Sequence, residues 1–86
     1  MHELSLAAEI VAAAEEAILS AGSRGARPLS VKVRVGGDSG VSPEALVSAW
    51  EFAASGTRLA GSSLDIELIP GGAELEVSSV EVEDEA

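Results

Sequence analysis

The 86-residue chain contains no cysteine and no tyrosine, and only one histidine, one tryptophan and one phenylalanine. The absence of cysteine excludes disulfides and every thiolate metal site. Aromatics make up 2% of the chain, so any interior is built from Ala, Val, Leu and Ile. Bases are scarce, at five against fifteen acids, for a net charge of -10. This balance argues against nucleic acid and anionic membrane surfaces, and fits cations or basic partners. No apolar run reaches the length of a membrane span. No Lys or Arg precedes Arg24, so the basic region of a signal peptide is missing and a cytoplasmic location is expected. One histidine without cysteine or tyrosine leaves no convincing acid–base pair, and no enzymatic role is expected.

The remaining composition supports one small domain over residues 1–86, since 47% of the residues are hydrophobic. Residues 2–21 carry apolar positions at helical spacing: Leu6, Ala7, Ile10, Val11, Ala14, Ala17, Ile18 and Ala21. Gly22 supplies a stop. Leu29, Val31, Val33 and Val35 alternate with Ser30, Lys32 and Arg34, as in a strand apolar on one face and basic on the other. Ser42-Pro43-Glu44 opens a second helix, with Ser42 as N-cap and Pro43 in the first turn. It is expected to bury Leu46, Val47, Ala49, Trp50 and Ala53, with Phe52 joining them, and to end near Ser55-Gly56. Leu64, Ile66 and Leu68 mark a second strand. Pro70-Gly71-Gly72 has the turn chemistry of a hairpin. Residues 73–83 alternate again, with a phase change across Ser78-Ser79 that predicts a bulge or twist. The expected fold is α+β, ordered αβαββ: a three-stranded mixed sheet in two layers, with both helices on one face.

Lengths and handedness then bring distant segments together. A helix of about 20 residues spans roughly 30 Å, and a seven-residue strand roughly 23 Å. The first strand therefore returns toward the chain start, and a right-handed crossover makes the second strand parallel to it. Met1-His2-Glu3, the 36–42 loop, the start of the second helix and the 70–72 turn should share one edge. Asp38, Ser39, Ser42 and Glu44 are candidate neighbours of the chain start.

Met1 and His2 carry the only metal-binding pattern in the chain. A free Met1 amine, the His2 amide and His2 Nδ1 close a five-membered and then a six-membered chelate ring. Planar nitrogen sites of this kind suit Ni(II) or Cu(II). Glu3, an acid from the shared edge, or water fills the fourth position. The bland reading is a surface histidine beside a helix-dipole glutamate.

Several of these segments together resemble the HypA/HybF family of nickel metallochaperones. They are Met1-His2-Glu3-Leu4-Ser5-Leu6, Ser39-Gly40-Val41, Pro43-Glu44-Ala45-Leu46, Ala49-Trp50-Glu51, Leu64-Asp65-Ile66-Glu67 and the ending Glu74–Val82. The resemblance implies transient Ni(II) binding at Met1, His2 and Glu3. It also implies delivery, with a maturation GTPase, to the large-subunit precursor of nickel–iron hydrogenase, or in some members to urease. The family inserts a zinc domain with two Cys-x-x-Cys pairs before its last strand. Here Pro70-Gly71-Gly72 closes that gap, so no zinc is expected. Gly37 stands where the family usually has an acid.

Two other motifs fail on context. Gly37-Asp38-Ser39-Gly40 resembles the nucleophile signature of trypsin-like proteases, but the chain is too short for two barrels and has no base histidine near it. Gly36 and Gly40 form no phosphate loop, because no Gly-Lys-Ser/Thr follows. The competing reading is an interaction module that docks on the GTPase or the hydrogenase precursor without carrying metal.

Overall fold

A computed structural model describes residues 2–22 and 25–83. Its elements are α1 (His2–Ser20), β1 (Arg27–Gly36), α2 (Pro43–Ala54), β2 (Ser63–Ile69) and β3 (Leu75–Glu83). The order is the expected αβαββ, and the three strands form one mixed sheet. Met1, Ser23, Arg24 and the tail from Asp84 to Ala86 lie outside the described residues.

Local chemistry accounts for both helices. α1 is rich in Ala, Leu and Glu, which lose little freedom in a helix. Gly22, at φ +74°, closes its end with an N–H donated to the Leu19 carbonyl. α2 starts as expected: the Ser42 hydroxyl accepts the Ala45 N–H, with Pro43 in the first turn.

β1 is the central strand. It pairs parallel with β2, from Ser30↔Ser63 to Gly36↔Ile69, and antiparallel with β3. Val31, Val33 and Val35 are fully buried. They form the core with Ala7, Ile10, Val11 and Ala14 of α1 and Leu46, Trp50 and Ala54 of α2. The opposite sheet face is polar. Arg34 sits between Glu67 and Glu76 across the strands, and its guanidinium pairs with Glu76. Arg27 pairs with Glu83 in the same way.

The central place of β1 corrects the hairpin reading of Pro70-Gly71-Gly72. β2 and β3 are not neighbours, so residues 70–74 pass across the end of β1. Gly36 N–H donates to the Glu74 carbonyl at 2.8 Å, Gly37 N–H to Ile69 at 2.8 Å, and Asp38 N–H to Gly72 at 2.8 Å. Gly36 has to be glycine here. A Cβ at this position would lie 2.5 Å from the Gly72 carbonyl oxygen and 2.7 Å from the Glu74 carboxylate. Gly36→Ala is therefore expected to destabilise the fold by about 1–3 kcal/mol through overpacking against backbone. Thermal unfolding would show a Tm drop on the order of 10 °C.

The bulge expected at Ser78-Ser79 is present. The register moves from Lys32↔Ser79 to Val33↔Val77, which leaves Ser78 as the extra residue, its hydroxyl on the Lys32 carbonyl. A second irregularity, between Pro28 and Ser30, corrects the placement of Leu29. The extra residue there turns Leu29 outward, and Pro28 takes the buried position.

Six further core assignments change. Ala17 and Ala21 of α1 are exposed, because they line an open cleft between the helix and β3. Val47 is half exposed and Phe52 is 80% exposed. Phe52 lies two residues past Trp50, about 200° around the helix, so both cannot face the core. Leu68, expected on the inner face of β2, is also largely exposed. Leu59, unassigned from sequence, is fully buried. The Ser55–Ser62 segment folds it inward: Thr57 Oγ1 accepts the Leu59 N–H, and Ser62 Oγ donates to the Leu59 carbonyl. Trp50 Nε1 donates to the Ser62 carbonyl at 3.1 Å, tying α2 to the entry of β2.

Candidate functional site

His2 and Glu3 form the first turn of α1. His2 is exposed and Glu3 half-buried. The Ser42 N–H donates to Glu3 Oε2 at 3.3 Å. Ser42 also caps α2 through its hydroxyl. One residue therefore joins the starts of both helices, its amide held by Glu3 and its side chain by α2.

This contact brings residues 2–3 to the edge formed by the 36–42 loop and the start of α2. The 70–72 turn belongs to the same edge through the Asp38 N–H on Gly72 and the Gly37 N–H on Gly71. The convergence expected from element lengths is thus present. Of the four candidate neighbours, Ser42 reaches Glu3. Ser39 turns its hydroxyl to the Val41 N–H, which shapes the loop. Asp38 contributes its backbone to the 70–74 crossing, and Glu44 is exposed in the first turn of α2.

The Glu3 carboxyl is held below its ordinary value. The Ser42 N–H is the main cause, followed by the backbone N–H of Glu3 itself. Partial desolvation opposes both, and the neighbouring His2 adds a smaller favourable pull. A depressed carboxyl contributes stability above its unfolded value and loses it as pH falls through the folded one. The stability gap between wild type and Glu3→Gln should therefore be larger at pH 7 than at pH 3, as measured by paired thermal melts. An equal gap at both pH values would leave the Glu3 charge without a role.

Among the described residues, no three His, Cys, Asp or Glu side chains converge on a metal position. Met1, the residue carrying the expected amine, lies outside the described residues. His2 is exposed on the first turn of α1. Glu3 has one oxygen on Ser42, which sequence reasoning placed only as a candidate neighbour.

A second feature lies beside this edge and was missed from sequence. Leu4 of α1 is 48% exposed and, with Ala45, Ala49 and Phe52 of α2, lines a shallow apolar cleft that begins at Glu3. The spacing of Ala45, Ala49 and Phe52 along α2 is the sequence signal for this second face.

Residues 1–85 match the family model described as hydrogenase/urease nickel incorporation, metallochaperone, hypA. The hydrogenase maturation factor HypA of Roseiflexus sp. (strain RS-1) is 47% identical over 70 residues, which are 81% of this chain and 55% of that protein. The hydrogenase maturation factor HypA of Deinococcus radiodurans is 44% identical over 71 residues, 83% of this chain and 58% of that protein. The corresponding factor of Nitrosospira multiformis is 36% identical over 83 residues, 96% of this chain and 70% of that protein. The chain thus spans little more than half the length of the first two relatives.

Proposed function

This chain belongs to the HypA family, and we propose that it acts as a nickel carrier in the maturation of nickel–iron hydrogenase. Ni(II) is its cargo, held transiently by the Met1 amine, the His2 amide and His2 Nδ1, with Glu3 beside them. The observation that carries this reading is the Ser42–Glu3 hydrogen bond. It anchors the start of α1 against α2 and leaves the His2 imidazole exposed. An incomplete ligand set suits delivery, because an acceptor can attack the open position. The recipients are a maturation GTPase and the hydrogenase large-subunit precursor, in the cytoplasm. The similarity to hydrogenase maturation factors supports this assignment.

In this reading residues 1–86 form one domain, with no zinc module between β2 and β3. Residues 70–74 link β2 to β3 directly, and the chain has no cysteine.

The binding chemistry sets the pH dependence. Protons and the metal compete for the amine and the imidazole, since both bind only when neutral. Displacing the amide proton releases one more. Nickel affinity is therefore expected to rise with pH. Titration calorimetry in buffers of different ionisation enthalpy would count the released protons, and an affinity independent of pH would rule out this ligand set.

The exposed Phe52–Leu4 cleft favours a second reading: a module that docks on the same partners without carrying metal. The two readings separate on nickel binding by the untagged chain.

A further inference from the structure

We propose that the outer edge of β3 is a docking site for an extended peptide segment alternating basic and apolar residues, added as a fourth strand beside Ser79–Glu83. This inference does not depend on nickel binding.

The sheet order leaves β3 at an edge, and among the described residues no strand pairs with its outer side. An open row of backbone N–H and C=O groups is a template for strand addition. α1 does not close over this edge. Ala13, Ala17 and Ala21, four residues apart, are exposed on the side of the helix facing β3. Two clefts follow the seam between them and meet at Val77: one starts at Glu9 and Leu75, and the other runs from Ala17 to Ala21 beside Val80 and Val82. Val77, Val80 and Val82 are only partly buried and form the strand side of this trough.

The opposite side of β3 is acidic. Glu76, Glu81 and Glu83 all lie on the open sheet face, exposed. A strand laid along the edge would turn alternate side chains into the trough and onto that acidic face. Apolar residues suit the first set and basic residues the second. β3 already accepts such a strand on its inner edge. The Ser30–Val35 stretch of β1 alternates Val with Lys32 and Arg34, pairs with β3 along its length and places Arg34 on Glu76. The same β3 side chains are presented to a strand on either edge. The bulge at Ser78 interrupts the ladder and so limits the added strand to the Ser79–Glu83 stretch. A second copy of this chain is a poor occupant, because its own Glu81 and Glu83 would face these acids across the edge, and the whole chain carries a charge of -10.

The test is an NMR titration of the full chain with a synthetic peptide carrying the Ser30–Val35 sequence of β1. A control peptide replaces its Lys and Arg with Glu. Saturable amide shifts confined to β3 and the Ala13–Ala21 side of α1 are expected with the basic peptide, weakening severalfold at high salt, and none with the acidic one. Ala17→Arg fills the trough at an exposed position without touching the core, and should weaken binding at least tenfold. Glu81→Lys should weaken the basic peptide and admit the acidic one. The proposal is overturned by no saturation at millimolar peptide, by shifts elsewhere on the surface, by equal binding of both peptides, or by self-association of the chain through this edge.

Discussion

Replacing His2 with alanine is expected to abolish tight nickel binding, with affinity falling at least about 100-fold, or ~3 kcal/mol. The proposed site draws its strength from two fused chelate rings, and the imidazole closes the second. Without it, an amine and an amide remain, and the amide does not give up its proton to a metal unless neighbouring donors hold that metal in place. A companion variant separates this site from any other use of the histidine. A Gly-Ser extension ahead of Met1 keeps the imidazole but turns the amine into an amide. It should lose nickel as His2→Ala does. His2 is exposed on the first turn of α1, so both variants should melt within a few degrees of wild type. Equal nickel affinity in wild type and His2→Ala would place the metal elsewhere and favour the docking reading.

Trp50→Ala should come close to unfolding the protein. Trp50 is 3% exposed, packs among Leu46, Leu59 and the valines of β1, and bonds the Ser62 carbonyl. Losing a buried aromatic of this size costs about 3–5 kcal/mol, and the stranded Ser62 carbonyl adds to it. An 86-residue domain has roughly 4–13 kcal/mol of total stability, so this one change removes a large share. Denaturant unfolding should show a strongly lowered midpoint with Trp50→Phe between the two, since the ring is kept and the N–H lost. Phe52→Ala, two residues away, should shift stability by no more than about 0.5 kcal/mol, because its ring stands in solvent. A large loss in Phe52→Ala would mean that the ring is buried in solution. A folded Phe52→Ala chain is also the clean reagent for docking. If the cleft beside Glu3 receives the GTPase or the hydrogenase precursor, this variant loses capture of that partner while keeping its nickel affinity.

The two aromatics of α2 differ in what helical spacing determines for them. Leu46, Ala49, Trp50 and Ala53 follow helical spacing, and α2 does bury that face. Phe52, the added candidate for that face, lies about 200° from Trp50 around the helix and stands in solvent. Leu29 was counted inward on alternation, which holds only while the ladder is regular. The irregularity before Ser30 reverses the phase, and no local residue signal announces it. At the site, the meeting of Glu3 with the start of α2 was legible, because helix length, strand length and crossover handedness constrain the ends to one edge. The specific bond from Ser42 to Glu3 was not, since it depends on how closely the two helices pack.

Taken alone, the order of residues determined the five elements, the capping of α2, the inward valines at Val31, Val33 and Val35, and the bulge near Ser78. These follow from backbone preferences and side-chain periodicity within a few residues of each position. Only tertiary structure decided that β1 lies in the centre, that the 70–74 link crosses its end over Gly36, that Leu59 enters the core, and that Phe52, Ala17 and Ala21 stay outside. Those outcomes depend on contacts between residues far apart in the chain, where close packing admits one arrangement and leaves the surplus apolar surface exposed.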